Sequence, residues 1–250
     1  EDGLRRYVHL GTGNYNDSTA RLYTDMGMFT CRESFGVDAS ALFNMLTGYS
    51  RPKRFNRLAA APEGLRPLFR ERIHAEIHNA RRGLPAGIYA KVNSLSDPEM
   101  IEELYEASKA GVPVTLVVRG ICCLTAGVPG LSENITVISI VGQLLEHSRI
   151  FRFENAGAPL LYLGSADWMP RNLDRRVELV FPVEDDAIRQ RIGEVIRLTT
   201  EDNVNARVQR PDGSYVFRDR RGHAALNSQQ ALWEAARQAI ESPLLETSIN

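Results

Sequence analysis

An almost unbroken apolar run at residues 112–118 limits the fold of this chain more than any other part of its sequence. A strand that is apolar on both faces is typical of a parallel sheet covered by helices on both sides. Further strands and amphipathic helices alternate along the chain, which indicates an α/β fold. The sequence predicts helices over residues 67–82, 98–110, 186–199 and 229–240, and strands over residues 88–93, 135–141 and 177–182.

The amino-terminal part is predicted to contain two strands, over residues 4–10 and 21–29. A short helix over residues 39–47 follows, and Asp38 is the residue type and position expected of its N-cap. Residues 50–56 are mostly polar and contain a proline and three cations, which is the composition of a linker. We therefore expect a domain boundary in that segment.

Charge and cysteine content restrict the kinds of function that the chain can have. It carries 30 basic and 31 acidic residues, and its formal net charge is -1. No overall positive field therefore recruits nucleic acid, and any site for anions must be local. Three cysteines without the spacing of a disulfide framework favour a reducing compartment. No apolar run is long enough to span a bilayer, so we expect a cytoplasmic protein.

Residues 144–174 contain the main candidate for a functional site. Two predicted strands flank a short loop there; the first carries His147 and Arg149, and the second ends in Gly164-Ser165-Ala166-Asp167. Since residues two apart on a strand share a face, His147 and Arg149 are expected to point the same way. An imidazole can attack phosphorus or transfer a proton, and a guanidinium group forks onto phosphate oxygens. This pair is suited to phosphoryl chemistry.

Further polar side chains stand where other predicted strands end. Lys91 and Asn93 lie two apart at the end of the strand over residues 88–93, where ligand-facing groups collect in α/β sheets. Arg119 follows the buried run at residues 112–118, and a charge fixed there is costly unless it is paired or liganded. A structural ion pair and a ligand contact are both compatible with Arg119. The repeated placement of a cation after a strand favours the ligand.

A polar segment directly after the Gly-Ser turn is dense in arginine. It contains Arg171, Asn172, Arg175 and Arg176. Solvation of the surface would explain one or two of these arginines. Three of them together with an amide favour a role in positioning an anion.

Two other features leave more than one interpretation open. Tyr23 lies in the predicted strand over residues 21–29, and it could belong to the core or offer its ring and hydroxyl group to a nucleotide. His74 and His78 lie one helical turn apart, but His-Ala-Glu-Ile-His is not the H-E-x-x-H zinc motif. A solvated helix face is the expectation for both histidines, and no metal ligand is assigned in this chain.

Two short turns echo each other across the chain. Gly11-Thr12-Gly13-Asn14 follows one predicted strand and Gly164-Ser165-Ala166-Asp167 follows another, so each turn has a glycine, a hydroxyl residue, a small residue and then Asn or Asp. This pattern resembles the phospholipase D superfamily, in which an H-x-K strand and a G-S/T-x-N turn occur twice. Here His147-Ser148-Arg149 stands in place of H-x-K and Asp167 in place of Asn. The arginine keeps the charge but alters the geometry.

Longer strings resemble the bacterial polyphosphate kinases, and they extend over nearly the whole chain. The resemblance implies two phospholipase-D-like catalytic domains, each with a mixed sheet flanked by helices. Residues 1–57 would be the end of the first domain, and residues 58–250 would be the second. The strings that carry the resemblance are residues 7–16, 19–25, 118–124, 129–135 and 165–176.

The resemblance also implies an activity. Enzymes of this family move the terminal phosphate of ATP reversibly onto inorganic polyphosphate, through a phosphohistidine and with magnesium. Tyr23, Arg119 and His147 match ATP-contacting positions of the family, and His147 is also the candidate catalytic acid or base. The phosphohistidine and the magnesium ligands are expected upstream of residue 1, so His9 is not given that role. The weaker phosphate-binding candidates are Lys91, Asn93, Arg149, Arg171, Asn172, Arg175 and Arg176.

The implied partners are ATP, ADP and inorganic polyphosphate, with no nucleic acid. The full-length protein is expected to be a homo-oligomer in the cytoplasm, with peripheral attachment at the inner face of the membrane as a further expectation. Two alternative functions stay open. A phosphodiesterase of the phospholipase D class would hydrolyse a diester without ATP. A polyanion-binding module without catalysis would bind with strong salt dependence and no preference for a nucleotide.

Overall fold

The computed structural model describes residues 3–50, 52 and 54–241. Residues 51 and 53, which belong to the predicted linker, lie outside the described residues. The helices are α1 Glu33–Leu46, α2 Leu65–Arg81, α3 Pro98–Lys109, α4 Pro170–Asp174, α5 Asp186–Glu201 and α6 Ser228–Glu241. The strands are β1 Val8–Gly11, β2 Tyr23–Thr24, β3 Gly27–Thr30, β4 Ala59–Ala60, β5 Ile88–Val92, β6 Val114–Val118, β7 Ile135–Ile140, β8 Leu145–Glu146, β9 Arg149–Phe153, β10 Leu160–Gly164, β11 Leu179–Pro182, β12 Ala206–Gln209 and β13 Tyr215–Phe217.

A mixed sheet forms the centre of the molecule. Its nine strands lie in the order β13-β12-β7-β6-β5-β9-β10-β11-β4. Strands β5, β6 and β7 are parallel to one another, and the strands outside this group pair antiparallel. The apolar run that dominates the sequence is β6, which lies fourth in this order and has side chains buried on both faces. The predicted α/β fold with a mixed sheet flanked by helices is confirmed.

Each face of the sheet has its own apolar core because side chains alternate along a strand. On one face, Phe69 of α2 packs against Phe151 of β9, with 4.6 Å between ring centroids, and Trp168 completes the aromatic group. Helix α3 covers the same face. On the other face, Ile150 and Ile138 pack with residues of α5 and with the amino-terminal hairpin of β1 and β3. The sheet is thus enclosed, and its strand ends remain as the place for polar groups.

The small parallel sheet of β2 and β8 differs from the prediction. A single strand over residues 21–29 was predicted, and this is wrong because the chain forms β2, turns, and then forms β3. The strand predicted to carry both His147 and Arg149 is also interrupted. Its first residues pair with β2 instead of joining the main sheet, with Tyr23 opposite Leu145 and Thr24 opposite Glu146. His147 therefore lies between β8 and β9.

Helix α1 corrects the prediction that Asp38 caps a helix beginning at residue 39. The helix begins at Glu33, and Asp38 is buried within it. Its carboxylate accepts four hydrogen bonds, from the backbone N–H groups of Asn56, Arg57 and Leu58 and from the Asn56 side chain, at 2.6–3.0 Å. Asp38 therefore satisfies backbone donors of the segment that leads into the second half of the chain, instead of those of its own helix.

Replacing Asp38 by alanine is expected to lower the free energy of unfolding by about 1–3 kcal/mol, because buried backbone donors lose their acceptor. Burial alone would raise the pKa of Asp38, but its four hydrogen bonds outweigh burial and lower the pKa. A lowered folded pKa stabilises the protein above the unfolded pKa of about 3.9, and this stabilisation is lost as the pH falls through the folded value.

Urea denaturation of the wild-type protein and Asp38→Ala at two pH values checks this prediction. The difference in unfolding free energy should be larger at neutral pH than near pH 3. Asp186→Ala is the control, since the Asp186 side chain is 96% exposed. Equal stabilities of the wild-type protein and Asp38→Ala at neutral pH would contradict the structural role of Asp38.

Other helix predictions agree with the structure. Asp97 caps α3 by accepting a hydrogen bond from the Met100 N–H at 3.0 Å, as the sequence predicts. His74 and His78 lie on the exposed side of α2, where His74 pairs with Glu103 at 2.6 Å. Within the described residues, the helices lack the combination of length and apolar character that a membrane crossing requires.

Candidate active site

His147 lies where two distant parts of the sequence meet. Its Nδ1 atom is 2.9 Å from a carboxylate oxygen of Asp25, which is 122 positions away in the sequence. The centroid of the Tyr23 ring is 4.8 Å from that of the His147 ring. Both contacts follow from the pairing of β2 with β8, because Tyr23 and Asp25 lie in and just after β2 and His147 directly follows β8. The prediction did not include Asp25.

The Asp25 carboxylate is itself held in place. Thr12 donates its hydroxyl proton to Asp25 at 2.8 Å, and the same hydroxyl oxygen accepts the Met26 N–H at 3.0 Å. A carboxylate fixed in this way accepts a hydrogen bond from a protonated Nδ1 of His147 and thereby favours the neutral tautomer whose lone pair lies on Nε2. The sequence offered a signal for this residue, since Asp25 ends the string over residues 19–25 that resembles the polyphosphate kinases.

Arg149 contacts the other side of His147, as the two-residue spacing predicts. Its Nη1 atom donates to Nε2 of His147 at 3.0 Å and to the His147 carbonyl at 3.0 Å. Its Nε and Nη2 atoms donate to the two carboxylate oxygens of Asp167 at 3.1 Å each. This forked geometry fixes the guanidinium group, and both side chains are only 9% exposed. Asp167 of the Gly-Ser turn is therefore the counter-ion of Arg149.

Arg119 and Asn93 extend the same network. The Nε atom of Arg119 donates to the Asn93 side-chain oxygen at 2.9 Å, and the Asn93 amide donates to the His147 carbonyl at 3.1 Å. The Asn93 backbone N–H donates to Asp167 at 2.7 Å. Arg119 is partly exposed, whereas Asn93 is buried. The structure thus brings together Arg119, Asn93 and His147, as predicted for strand ends that meet at one edge of the sheet.

Lys91 lies beneath the site instead of opening into it. Its ammonium group is 3.2 Å from Glu146 and donates to the hydroxyl and carbonyl oxygens of Ser148 at 2.9 and 3.1 Å. The side chain is 1% exposed. Burial lowers the pKa of Lys91, and the neighbouring Glu146 opposes that effect. Lys91 therefore supports the segment that carries His147 and offers no free ammonium group at the surface.

The arginine-rich segment after the Gly-Ser turn has different contacts. Asn172 is buried in α4 and donates to Glu178 at 2.5 Å, while Arg171, Arg175 and Arg176 are exposed. Arg176 lies 3.9 Å from Glu178. The hydrogen bond of Asn172 and the ion pair of Arg176 lead to Glu178 and not to His147, so the prediction that these two residues bind phosphate gains no support from their contacts.

The two echoing turns share one hydrogen-bond pattern. The Thr12 N–H donates to the Met26 carbonyl and the Ser165 N–H to the Leu179 carbonyl, both at 2.9 Å. In the second turn the Ser165 hydroxyl donates to Glu178 at 2.5 Å and accepts the Leu179 N–H at 3.1 Å. In the first turn, the Thr12 hydroxyl likewise donates to Asp25 and accepts the Met26 N–H. The sequence echo therefore reflects a repeated structural unit of hydroxyl, acid and backbone.

A cavity of about 590 Å³ opens beside the β2 segment. Tyr23 and Asp25 line it, together with His9 and the loop over residues 13–17. Its volume lies within the range usual for sites that bind small molecules. The cavity therefore has room for a nucleotide next to the two residues that contact His147.

Metal-binding groups are not gathered in the described part of the chain. No cluster of three or more His, Cys, Asp or Glu side chains within it could hold a metal ion. The acids at the site have other partners: Asp167 pairs with Arg149, Glu146 pairs with Lys91 and Asp25 pairs with His147. These contacts do not fit a ligand set for magnesium.

A carboxylate-held imidazole beside a fixed arginine, within a mixed α/β fold, has the chemistry of a site that handles phosphate groups. Comparison with known families agrees with that class. The family model described as polyphosphate kinase C-terminal domain 2 matches residues 58–229, and the model described as polyphosphate kinase C-terminal domain 1 matches residues 1–52. The chain belongs to the polyphosphate kinase family.

Individual relatives support this membership. A polyphosphate kinase from Lactiplantibacillus plantarum is 50% identical over 241 residues, which is 96% of this chain and 34% of the relative. One from Thermosynechococcus vestitus is 53% identical over 212 residues, covering 85% of this chain and 29% of the relative. The crystal structure of polyphosphate kinase from Porphyromonas gingivalis aligns with a TM-score of 0.91 at 35% identity, covering 95% of this chain and 36% of that one. The chain thus spans about a third of the length of the relatives.

Proposed function

We propose that this chain is part of a kinase that transfers the terminal phosphate of ATP reversibly to inorganic polyphosphate. The observation that carries the proposal is the meeting of Tyr23, Asp25 and His147 beside a cavity large enough for a nucleotide. The relatives are named polyphosphate kinase, and this name supports the choice of substrates. The family matches over residues 1–52 and 58–229 support two catalytic domains divided near residue 57.

The chain's own groups have separate roles in this proposal. His147 holds or accepts a proton at Nε2, while Asp25 fixes its orientation through Nδ1. Arg119 offsets the negative charge of the transferring phosphate, which is the main requirement of phosphoryl transfer. Arg149, whose charge is paired with Asp167, holds His147 in place. Tyr23 provides an aromatic surface beside the cavity for the nucleotide.

Several parts of the proposal concern the full-length protein. The phosphohistidine and the ligands of magnesium are assigned to residues outside this chain, where magnesium would neutralise charge on the phosphates of ATP. Homo-oligomerisation, a cytoplasmic location and attachment to the inner membrane face remain predictions, as does the absence of nucleic acid among the partners.

A transfer assay with the full-length protein tests the proposed function. ATP labelled on its terminal phosphate is incubated with inorganic polyphosphate, and the expected result is label in polyphosphate, with the reverse reaction forming ATP from ADP. Hydrolysis of a phosphodiester in the absence of ATP would favour a phosphodiesterase instead. Salt-sensitive binding of polyphosphate without any transfer would favour a polyanion-binding module.

Replacing Arg119 by alanine in the full-length protein is expected to raise the KM for ATP by about tenfold or more, since a contact to a charged group is lost. Arg197→Ala is the matched control, because Arg197 lies on the exposed side of α5 and pairs there with Glu194 and Glu201. Steady-state kinetics at varied ATP concentration measure the effect. An unchanged KM in Arg119→Ala would remove this residue from the nucleotide site.

A further inference from the structure

We propose that Gln229, the second residue of α6, is a positioning residue for His147. This inference rests on the proposed function of the site and adds a residue to it. Gln229 touches neither His147 nor the cavity. It acts on the β8 segment, which directly precedes His147 and belongs to the small sheet with β2 instead of the main sheet.

The Gln229 amide forms three hydrogen bonds with β8 and the residue before it. Its Oε1 atom accepts the Leu144 N–H at 3.0 Å, and its Nε2 atom donates to the Leu144 carbonyl at 2.8 Å and to the Glu146 carboxylate at 2.7 Å. The amide thus both accepts from and donates to the backbone of Leu144, as the backbone of a neighbouring strand would. Gln229 is 8% exposed, so water does not replace these bonds at low cost.

The β8 segment is held from several directions, and Gln229 is its support at residues 144–146. Lys91 contacts Glu146 from below, and Asn93 donates to the His147 carbonyl. On the side opposite Gln229 the segment pairs with β2, through the Leu145 N–H to the Leu22 carbonyl at 2.7 Å and the His147 N–H to the Thr24 carbonyl at 3.2 Å. That pairing places the Tyr23 ring against the His147 ring. Gln229 therefore completes the clamp that sets the position of His147 relative to β2.

The start of α6 is fixed firmly enough for Gln229 to serve as an anchor. Asp202 is fully buried and accepts the Ser228 N–H and the Ser228 hydroxyl proton at 2.7 Å each. The same carboxylate accepts the N–H groups of residues 204–206. A Cβ atom added at Gly142 would lie 2.5 Å from Oε1 of Gln229, so the loop before β8 fits closely around the amide.

Kinetics of three variants of the full-length protein test the proposal. Gln229→Met keeps most of the volume but removes the hydrogen bonds, and we expect kcat to fall by about tenfold or more because a small misplacement of a catalytic group has effects of that size. The KM for ATP should change much less, since Gln229 does not touch the cavity. Gln230→Met is the matched control, because the neighbouring Gln230 is exposed and its side chain donates to Glu234, away from β8.

A rescue variant separates positioning from a loss of folding. In Gln229→Glu combined with Glu146→Gln, the carboxylate and amide exchange places and the bond between them can form in the reverse direction. The bond to the Leu144 carbonyl is not restored, and the negative charge near Lys91 moves to residue 229, so the rescue is partial. We expect its kcat per folded molecule to exceed that of Gln229→Glu alone by about threefold or more, as for pairs in direct contact. Thermal unfolding gives the folded fraction of each variant.

The outcomes are distinct. Equal kcat values for Gln229→Met and Gln230→Met, or a loss in Gln229→Met that the folded fraction accounts for, would overturn the positioning role. Absence of rescue in the exchanged pair would also count against it. Absence of transfer in the wild-type protein and in Gln230→Met would instead overturn the proposed function, and the inference about Gln229 with it.

Discussion

His147→Ala in the full-length protein is expected to transfer phosphate from ATP to polyphosphate about 10²- to 10⁴-fold more slowly than the wild-type protein, which is the usual contribution of an acid or base in catalysis. The physical reason is the loss of the proton carrier at Nε2 beside the fixed guanidinium group of Arg149. Initial rates at saturating ATP measure the effect. His78→Ala is the control because His78 is exposed on α2, and its hydrogen bond is with Arg82 at 3.4 Å, away from the site.

The partner variant Asp25→Asn tests the same assignment from the other side of the ring. An amide keeps the size of the side chain but removes the charge that fixes the Nδ1 proton, so the rate should fall while the protein stays folded. A normal rate in His147→Ala would remove His147 from the reaction. If only Asp25→Asn kept a normal rate, His147 would remain the acid or base, but the Asp25 carboxylate would not be required for its function.

The second large effect concerns stability. Asp167→Ala is expected to lower the free energy of unfolding by about 3–5 kcal/mol, because Arg149 would keep a buried charge without its counter-ion. Both side chains of this pair are 9% exposed. The Asn93 backbone N–H would lose its acceptor as well. The midpoint of urea denaturation measures the change.

The exposed pair of Asp219 and Arg221 supplies the control for Asp167→Ala. Their side chains are 60% and 91% exposed, so Asp219→Ala should leave the midpoint of denaturation unchanged within error. A midpoint for Asp167→Ala close to that of the control would mean that solvent reaches Arg149 and compensates its charge.

The parts of this structure that could be predicted are those with a local cause. Strand β6 is apolar on both faces, and such a segment has few places to lie except inside a covered sheet. Asp97 as N-cap and Pro98 as first helical residue mark the start of α3, and both signals are local in sequence. His147 and Arg149 meet because a spacing of two residues places them on one side of an extended chain, even where a regular strand does not include both.

The parts that could not be predicted depend on contacts between residues far apart in sequence. Asp25 becomes a partner of His147 only when β2 pairs with β8. The residues around Asp25 contain no local pattern that predicts this pairing. Lys91 was predicted to face the ligand, but its ammonium group is buried, where it pairs with Glu146 and donates to Ser148. Asn172 is likewise turned toward Glu178, a carboxylate that the predictions did not include.

The pairing of β2 with β8 has a consequence for motion. It joins two residues to two residues, whereas the main sheet is held by longer ladders on both sides of its central strands. Separating β2 from β8 therefore requires only a small part of the free energy needed to unfold the molecule. We therefore expect Tyr23 and Asp25 to separate from His147 by local opening while the scaffold stays folded, and amide hydrogens in β2 and β8 to exchange with solvent sooner than those of β6.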